Sequence, residues 1–158
     1  MTRTHIISLL ILIVAVPAAT AGSFFGSGGS KPCFISGNAG YELSGSPTAK
    51  YTVRFDNAAA NPTVRMQMVD DPAAADFVMV DDGAEANACK AASAVNSIRI
   101  DPAAAKPDLT VSLSRAEADY KIYVRSSSYT GEDAAAVFAV ILQNAAKTGP
   151  AREFAERH

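Results

Sequence analysis

The chain has 158 residues, 49% of them apolar, with 14 basic residues against 16 acidic and a formal net charge of −2. A balance so near neutral, with the basic residues scattered singly, excludes the broad positive face that a nucleic acid or an anionic lipid surface would require. The length allows one domain with a real core.

The first residues read as an export signal. Arg3 and the amino terminus give a positive start, residues 6–16 form an apolar run, and Ala19-Thr20-Ala21 supplies a small-x-small cleavage pattern. Pro17 ends the run well short of the 18 or so apolar residues that a spanning helix needs, so a cleaved signal over residues 1–21 is expected rather than a retained anchor. Cleavage removes Arg3 and no acid, which moves the net charge from −2 by one to −3. No stable membrane insertion is expected after that. Residues 22–47 then form a Gly/Ser-rich leader and an irregular segment. Gly26-Ser27-Gly28-Gly29-Ser30-Lys31 lacks the ending of a phosphate-binding loop, and Phe24 and Phe25 are its only large apolar residues before Cys33. Phe34-Ile35 and Tyr41-Glu42-Leu43 can each make a short strand around the turn residues 36–40.

Cys33 and Cys89 are the only cysteines. In an exported chain an even count favours a disulfide between them, against two free thiols or links to another chain.

Residues 48–158 are expected to form a single α+β domain built on an internal repeat, with copies at 49–82 and 94–125. Thr52-Val53-Arg54-Phe55-Asp56 is answered by Ser97-Ile98-Arg99-Ile100-Asp101, and Val64-Arg65-Met66-Gln67-Met68 by Leu109-Thr110-Val111-Ser112-Leu113. Ala75-Asp76-Phe77-Val78-Met79 is answered by Ala118-Asp119-Tyr120-Lys121-Ile122. Period-two alternation makes each segment a strand, and an aspartate with three alanines makes each connection a capped turn. These connections are shorter than the dozen or so residues a parallel crossover normally takes, so each copy is expected to be a three-stranded antiparallel meander. The unbroken apolar run at 77–80 predicts burial on both faces, and the more alternating 120–124 a place nearer an edge. The polar and alanine-rich residues 83–93 are expected to form a short helix or loop around Cys89. A helix over 131–147 follows, opened by a capping box of Thr130 and Asp133 and stopped by Gly149-Pro150; it should lie against the sheet.

The chemistry on offer is narrow. The two histidines are His5, which leaves with the signal, and His158 at the end of the chain, so neither a Ser-His-Asp nor a Cys-His set can be held in place. Asp70-Asp71 and Asp81-Asp82 lack the spacing of a calcium loop and read as turn residues or caps. Arg54 and Arg99 recur at matched positions, where pairing with neighbouring acids is favoured over a joint carboxylate site. Tyr120, Tyr123 and Tyr129, with Phe24 and Phe25, are the best candidates for a contact surface, because aromatic residues supply a large contact area and tyrosine adds a polar tip; Arg54 and Arg99 are counted with that possible interaction surface. No catalytic, metal or cofactor-binding residues are assigned. The expected role is therefore a non-catalytic binding or assembly protein, periplasmic or secreted, of a bacterial cell envelope, with a protein or envelope polymer as partner. A small histidine-independent hydrolase is the alternative, and a membrane-tethered envelope protein is another.

Overall fold

A computed structural model describes residues 33–81, 88–115 and 118–148. The expected signal and leader, Asp82 and His158 lie outside those residues. Alternation of side chains makes eight strands: β1 (Cys33–Ser36), β2 (Ala39–Leu43), β3 (Tyr51–Phe55), β4 (Val64–Met68), β5 (Phe77–Asp81), β6 (Ala94–Ile100), β7 (Leu109–Leu113) and β8 (Tyr120–Ser126). One long helix follows, α1 (Gly131–Thr148), and a 3-10 turn at Ala88–Ala91 carries Cys89.

The strands do not form two antiparallel units. They make one sheet in the order β1-β2-β6-β3-β7-β4-β8-β5, and every pairing except β1 with β2 is parallel. The two copies of the repeat are interleaved: β3, β4 and β5 alternate with β6, β7 and β8. Short connections suffice because the register is stepped. Phe55 at the end of β3 lies opposite Val111, and Val64 at the start of β4 lies opposite that same residue. Likewise Ile100 at the end of β6 and Leu109 at the start of β7 both face Val53. The chain moves sideways past one strand of the other copy without travelling back, and the return path that lengthens an ordinary parallel crossover is absent.

A repeated polar device sets each step from β3 to β5. Asp108, immediately before β7, accepts a hydrogen bond from Thr52 N–H at 2.7 Å and donates its own N–H to Thr52 O at 2.8 Å. Thr63, before β4, holds Thr110 in the same way through Oγ1 at 3.0 Å and its N–H at 2.7 Å. Asp119, before β8, holds Arg65 (2.8 and 2.9 Å), and Asp76, before β5, holds Lys121 (2.7 and 2.8 Å). In every case the lead-in residue of one strand clamps both backbone groups of the second residue of the strand beside it. The aspartates that follow strands do a different job. Asp56, Asp71 and Asp101 each accept from the N–H two residues on, at 3.0, 2.9 and 2.9 Å, which turns the chain out of the strand.

Removing one clamp should be measurable. Asp119→Ala is expected to lower stability by about 1 kcal/mol, the scale of losing a helix N-cap, because water can replace the carboxylate at this exposed position. Asp119→Asn keeps an acceptor and should lose less. Denaturant unfolding of the two variants beside the parent chain reads the difference.

The sheet curls into a half-barrel around α1. Its two outermost strands approach closely enough for Phe34 on β1 and Phe77 on β5 to meet edge to face, with ring centroids 5.6 Å apart, and Phe77 stacks on Phe138 of the helix at 4.5 Å. Tyr120 meets Phe138 from the other side at 5.4 Å. The helix therefore touches more than one wall. Seven consecutive residues, 134–140, are buried, and two turns of helix can be covered on every side only when the sheet wraps round it. Three alanines at the start of that stretch let the backbone fit inside. The capping box forms as expected, with Thr130 N–H donating to Asp133 Oδ2 at 2.8 Å and Asp133 N–H to Thr130 Oγ1 at 3.2 Å. At the other end Tyr51 Oη donates to Asn144 Oδ1 at 2.6 Å, and the Lys50 and Lys147 ammonium groups flank the Tyr51 ring at 5.5 and 5.3 Å.

The other edge of the sheet is tied down. The β1–β2 hairpin turns through Gly37, whose φ of +58° is a left-handed conformation that glycine adopts without steric cost. A disulfide joins Cys33 on β1 to Cys89, with Cα atoms 5.5 Å apart. Gly40 lies beneath it, where a Cβ would come within 2.9 Å of Cys89 Sγ.

Candidate binding edge at β5

The expected contact residues do not share one surface. Tyr129 is buried in the core, and Tyr120 points inward onto Phe138. Tyr123 is half-buried on the outer face of β8, between Lys121 and Arg125, which are exposed. Arg54 and Arg99 also face outward, on β3 and β6, but each pairs along its own chain: Arg99 with Asp101 at 2.9 Å and Arg54 with Asp56 at 3.6 Å. Arg54 further donates to Ala104 O at 3.0 Å, and so pins the alanine-rich connection over the outer face. Side chains about 29% exposed in such pairs add little stability. Their evident role is to hold turns.

The structure also reverses the expected places of the third strands. β8 lies between β4 and β5, whereas β5, with the unbroken apolar run, is the end strand. Met79 is fully buried, but Val78 and Val80 are 42% and 40% exposed on the outer face. At the positions matching Val78 the other clamped strands carry Thr52, Arg65, Thr110 and Lys121. At those matching Val80 they carry Arg54, Gln67, Ser112 and Tyr123. At these two positions the outer face is polar or aromatic from β3 to β8 and aliphatic at β5; elsewhere on that face Val95 of β6 is also exposed.

The backbone of β5 points the same way. Ile122 O accepts from Val69 N–H on the β4 side at 2.9 Å, and Lys121 is clamped from the β5 side, so Lys121 and Tyr123 turn their amides toward β5. With Phe77 opposite Ile122 and Val78 opposite Tyr123, alternate residues Phe77, Met79 and Asp81 bond to β8. Val78 and Val80 turn their N–H and C=O groups to the open edge, to which no described strand is hydrogen-bonded; β1 lies across it and touches β5 through Phe34 and Phe77.

The chain matches no protein-family model, and no curated protein matches it. The chemistry of the edge must therefore be read from its own groups. Unpaired amides and carbonyls beside exposed valines can extend a sheet; they cannot cleave a bond. Among the described residues no three histidine, cysteine, aspartate or glutamate side chains converge on a possible metal position. No described helix is long and apolar enough to cross a membrane. Val78 and Val80 were hidden in the sequence by their own hydrophobicity, since an apolar run reads as interior. The signal that could have marked them is the alignment of the repeat, where valine stands against lysine at 78/121 and against tyrosine at 80/123.

Proposed function

We propose that this chain is a non-catalytic binding or assembly protein of the exported fraction, periplasmic or secreted, in a bacterial cell envelope. One observation carries the reading: the end strand β5 presents backbone groups that no described strand pairs, together with the exposed side chains of Val78 and Val80. Sheet edges left in this state are sites of strand addition, and most proteins blunt theirs with charge, proline or a bulge. Phe77-Val78-Met79-Val80 contains no charge and no proline, and the charge in β5 is at its last residue, Asp81. The disulfide supports an oxidising compartment, as does the signal-like pattern of residues 1–21.

Chemical cross-linking in intact envelopes, followed by purification of the chain, tests the proposal. A defined adduct with one protein or one envelope polymer is expected. Recovery as a monomer without any such adduct would count against it.

A further inference from the structure

We infer that β5 binds an extended segment of a partner protein, running parallel to it, in which an acidic or hydroxyl residue precedes an apolar-x-apolar strand. The inference rests on the binding role proposed above and specifies the surface and the chemistry of the partner.

The argument is the continuity of the clamp series. From β3 to β5, the second residue of each strand gives both backbone groups to the lead-in residue of the next: Thr52 to Asp108, Thr110 to Thr63, Arg65 to Asp119, and Lys121 to Asp76. Val78 is the second residue of β5, and among the described residues no strand clamps it. Its N–H and C=O present the same pair of groups, at the same position, that four partners use elsewhere.

The neighbouring strands also define what fits. The four clamping segments read Asp108-Leu109-Thr110-Val111, Thr63-Val64-Arg65-Met66, Asp119-Tyr120-Lys121-Ile122 and Asp76-Phe77-Val78-Met79. Each is an acceptor, an apolar residue turned to the interior, an outward residue, and a second interior apolar residue. The acceptor on β5 is an acid or a hydroxyl, as in the four clamps within the sheet. The outward position of the partner segment should be apolar, since it would lie beside Val78 and Val80. An edge of five residues is about 17 Å long and offers a small interface, so affinity in the micromolar range or weaker is expected.

The probe is a synthetic peptide of residues 118–126 carrying Lys121→Val, which gives the motif an apolar outward residue; the parent segment pairs with β4 in the same sense. Its fluorescence anisotropy on titration with the folded chain should saturate. An aspartate-to-alanine change at the peptide's lead-in position should weaken binding at least tenfold. Val78→Pro in the chain removes the N–H that the clamp needs and leaves the β8 ladder intact, as proline on an outward edge position can; it should abolish binding. Bound peptide should also slow exchange of the Val80 amide at least tenfold. If Val78→Pro does not fold, the peptide variant and Val80 exchange decide. No binding up to about 1 mM, far above the affinity expected of a specific strand contact, would overturn the inference. So would equal binding by both peptides, or protection confined to other strands. A peptide that fails while an envelope adduct persists removes this edge and leaves the binding role standing; loss of both removes the role.

Discussion

Leucine introduced at Ala134, Ala135 or Ala136 is expected to destabilise the fold at all three positions, by about 1–3 kcal/mol each. The three residues are consecutive, so they point in directions about 100° apart around the helix. On a helix lying against a flat sheet, at least one of them would face solvent, and leucine there would be nearly neutral. Here all three are fully buried, because the half-barrel surrounds this end of α1. Overpacking has no empty side into which to relax. Met66, whose side chain is fully buried in the same core, gives the opposite change: Met66→Ala should cost about 2–5 kcal/mol through the cavity it leaves. Chemical denaturation of the four variants beside the parent chain checks both statements. A neutral result at any one alanine would show a helix covered on one side only.

The disulfide is the second large contributor. Cys33 and Cys89 are 56 positions apart, and closing a loop of that length restricts the unfolded chain by about 4 kcal/mol in the chain-entropy account. The bridge also ties β1, the end strand opposite β5, to the 3-10 turn before β6. The Cys33→Ser, Cys89→Ser double variant should therefore unfold at markedly lower denaturant, and the parent chain should move to the same midpoint on reduction. Gly40→Ala adds a local check, since its Cβ would crowd Cys89 Sγ; its cost should shrink when serine replaces the cysteine.

Much of the local structure was legible in the sequence. Alternation located the strands of the repeat, Thr130 and Asp133 located the start of α1, and Asp76 and Asp119 stood out as matched residues. What those aspartates do was not legible, because a clamp on a neighbouring strand has no local signature. The parallel order was missed for a specific reason. A short connection excludes a parallel neighbour only if the chain must return to its starting level, and the shared contacts of Phe55 and Val64 with Val111 show that it does not. The third strands were misplaced for a related one. Phe77 to Val80 looks interior by composition, yet β5 is where the staircase stops, while the alternation of Tyr120 to Val124 reflects a polar outer face rather than an edge. Tyr120 and Tyr129, expected as contact residues, instead lie inside the curled sheet.

The clamp series and its vacant last place can be measured together by residue-resolved amide hydrogen exchange. Thr52, Arg65, Thr110 and Lys121 occupy equivalent second positions, and each of their N–H groups is held by a lead-in side chain. Val78 occupies the fifth such position and faces the open edge. The prediction is slow exchange at the first four and at Met79, with fast exchange at Val78 and Val80. Protection of Val78 and Val80 equal to that of Met79 in the isolated chain would contradict it.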